Sequence, residues 1–300
     1  MTEHVTFRRG TMSDSRAAHD LFLASASDLA RRLGTPWDPD PEEIWPRMRP
    51  LYERLATHAA EWWVAEAVEG GELVGYARSV ERGGLFELSE FFVRPGRQSA
   101  GVGRELLSRA FPPSRGEVRA IVATFDVRAQ ARYYKAGTVA RFPIAGLSGP
   151  ARPDAADALE VAVEPMSEAN LDEVMALEGA VLEFPRDREE WRWILSQREG
   201  WVFRRDGECI GFGCVGAVGS GPVAALHPDD QVPILRQLEA RAAALGRDTL
   251  AMEVPMINAV AMRHLLARGH QIDQFVSFLM ASRPFGRFDR FLGFSPPFVL

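Results

Sequence analysis

Lysine is almost missing from this 300-residue chain: of 35 basic residues only Lys135 is a lysine, a bias of the kind a GC-rich genome produces. Acidic residues outnumber basic ones, 41 to 35, so the formal net charge is −6 and the pI is near 5.6. A phosphate backbone needs a basic face to neutralise it, so nucleic acid is not an expected partner. Cysteine is scarce as well. Cys209 and Cys214 lie five apart in "ECIGFGCVG", on opposite sides of a regular strand, which argues against a bridge between them and for two small buried thiols. The six histidines form no pair at ligand spacing with a carboxylate partner, so no metal is expected. There is no apolar run of the ~20 residues that a bilayer-crossing helix requires. The opening "MTEHVTFRRG" has neither the shape nor the length of a signal peptide, so a cytoplasmic location without a membrane partner is expected.

What is present is the composition of a globular protein, 46% hydrophobic and 25% charged, arranged as strands and helices. "VTFRRGT" reads as a strand, followed by a helix over "MSDSRAAHDLFLASASDLARRLG". A second helical segment, "PEEIWPRMRPLYERLATHAA", is interrupted by prolines. Two strands joined at Gly70-Gly71, a longer strand "GLFELSEFFV", a helix, the apolar strand "VRAIVATFD" and a short helix stopped by Gly137 complete the first half. The stretch "PIAGLSGPARPDAADA", 143 to 158, breaks the pattern, and the same grammar then restarts. In the second half Ser167 reads as a helix N-cap and Asp206-Gly207 as a hairpin turn. The expectation is an α/β chain of two copies of one unit: residues 1–147, a linker over 148–158, and 159–300. The aromatic tail "GRFDRFLGFSPPFVL" is expected to dock back on the body.

Chemistry concentrates where strand meets helix in "VRPGRQSAGVGRELL". Glycines at a helix start let a bound group approach the backbone, where first-turn amides lack intrahelical acceptors and the dipole is positive. That combination cradles a phosphate, although the same glycines also suit a plain tight turn. No dinucleotide-binding or Walker pattern is present.

The flanking residues carry a resemblance. Gln98, Gly101 and Gly103 after Val93-Arg94-Pro95 are similar to the acyl-CoA motif of the GNAT superfamily of N-acetyltransferases. "DVRAQARYYKAG" resembles that family's second motif through Ala129, Tyr133 and Gly137, with Asp126 in place of the usual Asn and Thr138 in place of Phe. The resemblance covers roughly residues 5 to 145. It implies tandem GNAT domains, each a mixed, mostly antiparallel sheet flanked by helices. It also implies acetyl-CoA as cosubstrate, its pyrophosphate held by Gln98, Ser99, Ala100, Gly101, Val102 and Gly103, with Arg104, Asp126 and Ala129 alongside. The pantetheine arm would bond the backbone of Phe91, Phe92 and Val93 where their strand splays from its neighbour.

Acetyl transfer to an amine requires the neutral nucleophile, which at pH 7 costs a lysine-like amine about 4.6 kcal/mol. A carboxylate answers that need. Glu87, eleven residues before Gln98, matches the place of the family's catalytic glutamate. Glu90 is the second candidate base, on the opposite face by strict alternation, and ordered water is a third. Tyr133 matches the family's tyrosine acid, whereas Tyr134 is expected to pack. "TPWDPDPEEIW" combines Trp37 and Trp45 with four acidic residues and suits either a cationic acceptor or a helix N-terminus. The acceptor is expected to be a primary amine of a small molecule or peptide. Attack is expected to be direct, because both cysteines lie in the other half. The competing reading is a non-catalytic acyl-CoA-binding or regulatory module; on either reading a monomer or homodimer is expected.

The second half again resembles the family through Asn258, Ala261 and Gly269, but Leu265 stands at the tyrosine position and His270 at the closing Phe. "HPDDQVPILRQL" has no glycine and places Asp229 and Asp230 where a pyrophosphate would sit. This copy is expected to be degenerate.

Overall fold

The computed structural model describes residues 4–97, 101–153, 161–217 and 219–293. Contacts divide the chain into two compact units, Met1–Ile121 with Asp126–Val139, and Val122–Phe125 with Ala140–Leu300.

In the first unit β1 (Val5–Arg9), β2 (Glu61–Ala67), β3 (Leu73–Arg82), β4 (Leu85–Val93) and β5 (Val118–Thr124) lie in that order. The first three pairings are antiparallel and β4–β5 is parallel. A parallel return needs a crossover, supplied by α3 (Val102–Ala110). Between β1 and β2 run α1 (Ser15–Arg32) and α2 (Pro41–His58); α4 (Val127–Lys135) follows β5. α2 is one helix through Pro46 and Pro50, where the prolines had suggested an interruption. Its N-terminus is capped by Asp40, whose carboxylate accepts the Glu42 amide at 2.8 Å, with Pro41 in the first position and Glu42 and Glu43 in the first turn. The acidic "TPWDPDPEEIW" stretch is thus a helix start.

The second unit takes in β6 (Val139–Pro150), which pairs antiparallel with β11 (Thr249–Pro255) from Ile144↔Pro255 to Pro150↔Thr249. Residues 140–147, read as part of the first domain, therefore cluster with the second unit, and 148–150, read as linker, are strand. Strand pairing overrides the Pro/Gly composition here, and Ala145 and Leu147 sit in one core with Leu250, Met252 and Val254. Residues 154–160 of the expected linker lie outside the described residues.

β12 (Gln271–Ala281) lies on the other side of β6. A second sheet has the order β13 (Phe291–Leu292), β10 (Val223–Ala225), β9 (Glu208–Gly216), β8 (Arg198–Arg205), β7 (Ala162–Pro165). Helices α5 (Leu171–Leu182), α6 (Arg188–Gln197), α7 (Gln231–Ala244) and α8 (Ala259–Ala267) flank these strands. The β8–β9 turn is at Asp206 and Gly207, with φ of 52° and 84°, the left-handed pair that a two-residue hairpin demands. Ser167 is not the cap of α5; Asn170 holds that position, and its side-chain oxygen accepts the Ser167 amide at 2.8 Å. Asn170 closes the turn before the helix, which a reading of hydroxyl residues alone could not reveal.

The tail docks as expected up to residue 293; residues 294–300 lie outside the described residues. Phe288, Phe291 and Leu292 are buried, with the Phe288 and Phe291 rings edge to face at 5.9 Å. Phe291→Ala should lower unfolding free energy by about 3–5 kcal/mol, as large aromatic truncations in cores do. A urea melt of the variant beside wild type measures it.

Candidate active site

β4 and β5 pair from Leu85↔Val118 to Leu88↔Ile121, and the register stops there, while β4 continues beside β3 to Gly75↔Val93. The last five residues of β4 thus leave the parallel ladder. The chain then turns at Pro95-Gly96 and re-enters as α3. Gln98, Ser99 and Ala100 lie outside the described residues. Gly101 caps α3 at φ 86°, in the left-handed region, and a Cβ there would meet nothing within 4 Å. Its carbonyl accepts the amides of Arg104 (3.0 Å) and Glu105 (3.1 Å), so Val102 and Gly103 lead the helix with first-turn amides. Gly103 is tight on every side: a Cβ would stand 3.1 Å from Arg132 Nη1, 3.2 Å from Phe91 Cζ and 3.5 Å from Val93 Cγ2. Glycine there draws the helix start, the end of β4 and the Arg132 guanidinium together. Arg132 was missed by the sequence reading, since nothing in a motif register marks it. Arg104 is exposed on α3.

Phe91 and Phe92 point to opposite sides. The Phe91 ring meets Tyr133 of α4 edge-on at 6.1 Å, and Phe92 meets Phe22 of α1 at 5.3 Å and Tyr76 of β3 at 5.6 Å. Tyr133 is buried, and burial, then the nearby Asp126 charge, holds its phenol well above its ordinary value. Tyr134, expected to pack, is half exposed. Asp126 caps α4 through the Arg128 amide at 2.9 Å, and half-buried Ala129 follows in the first turn. Burial raises the Asp126 carboxyl, but hydrogen bonds from Arg128 and Arg32 outweigh it and hold the group at about 2.

The two glutamates do not obey alternation. Arg78 faces Glu90, but Ser79 faces Leu88, so Ser89 is an extra residue and β4 bulges. Cross-strand partners share a face, and Arg78 and Val80 are two apart on β3, so their partners Glu90 and Glu87 point the same way. This corrects the opposite-face expectation: the bulge turns both carboxylates to the side of α1 and α2. Both are 2% exposed. Glu90 accepts from the Tyr76 hydroxyl at 2.8 Å and is paired with Arg78 Nε at 2.9 Å, with neither side chain exposed. Arg78 also donates to the Tyr52 carbonyl at 3.1 Å and stacks over Trp62 at 4.2 Å. Arg78 and Tyr76, two apart on β3, and His19 on the distant α1 carry no motif that marks them in the sequence.

In the second unit the corresponding strand end is already covered. β13 pairs with β10 through Val223↔Leu292 and Ala224↔Phe291, and the Gly293 N–H donates a hydrogen bond of 3.2 Å to the Glu253 carbonyl of β11. The chain's own tail thus lies between the two strands whose first-unit counterparts are β4 and β5. Gln231, fully buried at the start of α7, accepts from Asn258 at 2.5 Å and donates to the Pro228 and Asp289 carbonyls. Asp230 is buried and bonded to Arg205. Among the described residues no group of three or more His, Cys, Asp or Glu could hold a metal ion, and no helix is long and apolar enough to cross a membrane.

The model of the Acetyltransferase (GNAT) family matches residues 26–137. No curated protein matches the chain by sequence. Among solved structures it is similar to a putative acetyltransferase from Pyrococcus horikoshii, at 16% identity and TM-score 0.72, covering 96% of this chain and 92% of that one. A GCN5-related N-acetyltransferase from Sphaerobacter thermophilus is 15% identical with TM-score 0.60, covering 94% and 97%. A tandem GNAT protein from the clavulanic acid biosynthesis pathway is 14% identical with TM-score 0.61, covering 94% and 99%. The chain has the tandem GNAT fold.

Two stability predictions follow from this geometry. Arg78→Ala leaves the Glu90 carboxylate buried and unpaired and should cost about 3–5 kcal/mol in chemical denaturation, whereas joint replacement of both by apolar residues should restore most of it. Asp126 titrates lower folded than unfolded, so its contribution is complete above the ordinary carboxylate range and disappears as pH falls toward 2. Wild type should therefore exceed Asp126→Asn in thermal midpoint near neutrality, the gap closing as the solution is acidified.

Proposed function

We propose that the chain is an acetyl-CoA-dependent N-acetyltransferase whose first unit is the working copy. The observation that carries this reading is the corner itself, where a left-handed Gly101 and a close-packed Gly103 open α3 beside a strand end that has left its parallel partner. First-turn amides at 101–103 and the Arg132 guanidinium supply positive charge suited to a pyrophosphate. The backbone of Phe91, Phe92 and Val93 suits an extended amide-bearing arm. Gln98, Ser99 and Ala100 complete the loop by resemblance.

The residues divide the chemistry by face. On the α3 and α4 side Tyr133 keeps its proton at any physiological pH. A phenol raised by burial is too weak an acid to surrender that proton fully to a thiolate of ordinary pKa near 8.5, so its role is to donate a hydrogen bond to the departing sulfur. On the α1 and α2 side Glu87 and Glu90 give the acceptor region negative character suited to an ammonium group. Glu90 is committed to Arg78 and Tyr76, which leaves its lone pairs poorly placed to take a proton. The amine nitrogen attacks the thioester carbonyl directly, the C–N bond forming as the C–S bond breaks.

Titration calorimetry with CoA tests the binding half. Wild type should show a single binding event per chain, because β13 covers the second cleft. Gly103→Val should weaken it by about tenfold or more, some 1.4 kcal/mol, and Gly101→Val similarly. Thiol release from acetyl-CoA against a panel of primary amines tests the transfer half: binding without turnover on any acceptor would favour a non-catalytic acyl-CoA module.

A further inference from the structure

His19 of α1 lies on the same side of the sheet as the two glutamates and has no place in the chemistry so far. It is fully buried, with its ring between Trp45 at 5.1 Å and Tyr52 at 5.4 Å, both from α2. One ring nitrogen, Nδ1, is 3.3 Å from the Asp20 carboxylate. The other, Nε2, is buried and has no hydrogen-bond partner among the described residues. A carboxylate beside Nδ1 selects the tautomer that carries the proton there, which leaves Nε2 with a bare lone pair. A buried acceptor without a hydrogen bond is destabilising, so such an atom in a site of this kind calls for an occupant. Phe22, one turn further along α1, rests on Phe92, at the end of β4 assigned to the cofactor arm. The same helix therefore carries Nε2 to the acceptor side of the thioester.

We infer that His19, oriented by Asp20, is the general base that takes the proton from the acceptor ammonium, a step that rests on the transferase reading above. The proton moves from the acceptor nitrogen to Nε2. The freed lone pair attacks the acetyl carbon, and the amide nitrogen's second proton leaves with the thiol or to solvent. Glu90, paired with Arg78, does not compete for it. Access comes through α2. Pro46 and Pro50 have no amide to give the carbonyls of Glu42 and Pro46, so the helix that closes Trp45 and Tyr52 over His19 is short of two hydrogen bonds. The acceptor enters by displacing this cover.

The charged and titratable groups around the ring are Arg16 and Asp20 on α1, Tyr52 on α2, Tyr76 and Arg78 on β3, and Glu90 on β4. Burial lowers the imidazole most; Asp20 and Glu90 oppose it, and Arg16 adds to it. His19 is thus neutral and competent at pH 7. The rate should fall as pH drops through a value below the ordinary 6.5.

Two measurements decide it. Long-range 15N NMR should show the Nδ1–H tautomer for His19, with Asp20→Asn shifting it; an Nε2–H imidazole would overturn the proposal independently of turnover. Kinetically, His19→Gln should lose about a hundredfold in kcat at pH 7 and lose the acidic limb of its kcat–pH profile, with CoA affinity by calorimetry within twofold of wild type. Should core packing around His19→Gln fail, the half-exposed Asp20→Asn carries the same test, expected to displace the acidic limb. A wild type that binds CoA and acetylates no amine sinks the transferase reading. A wild type that turns over while His19→Gln keeps its acidic limb sinks the base assignment alone.

Discussion

A parallel strand pair that comes apart halfway is the constraint from which the first unit follows. After Leu88 the parallel ladder ends, and the last five residues of β4 run on beside β3 without β5 as a partner. The chain must then start a helix beside that opening without filling it. A side chain at 103 would crowd Phe91 and Arg132, and an ordinary residue at 101 would be strained at φ 86°. Two glycines with different jobs, one conformational and one steric, keep the opening usable.

The bulge at Ser89 does for the opposite face what the glycines do for the corner. One extra residue turns Glu87 to the side of Glu90, under α1 and α2, and the sheet then has to hold two carboxylates in its interior. Arg78 neutralises one of them at the cost of burying a guanidinium, whose planar face is covered by Trp62 and Tyr52. A pair this deeply enclosed adds little net stability over an apolar pair. It does prevent an unpaired charge on Glu90. Tyr52, one of the two rings over Arg78, also packs against His19, so the structural and chemical demands on this face meet at that side chain.

The two copies keep one grammar and resolve the same opening differently. In the second unit the strand end of β10 is met by β13, and Gln231 with Asn258 ties the start of α7 in place of glycine. A polypeptide segment has the same alternation of donors and acceptors that an extended amide-bearing ligand has. Pairing with the tail therefore gives the β10 end a permanent strand partner within the chain.

Much of this was legible along the chain. The order of elements, the duplication, the glycine corner and the hairpin at Asp206-Gly207 came from periodicity, caps and turn residues, which act over a few positions. The continuous α2 and the strand through 148–150 were not, because Asp40 capping and pairing with β11 overrule the local signal of proline and glycine. The same limit hid His19 and Arg132, single side chains with no pattern around them. By itself the sequence determined the two-fold layout and the glycine-opened start of α3, since helix starts and left-handed glycines are local properties. Only the tertiary structure decided that Glu87 and Glu90 share a face, that Arg78 claims one of them, that Asp20 and α2 enclose His19, and that the tail covers the second cleft. Strand register and burial depend on residues brought together from distant parts of the chain, and no local pattern records them.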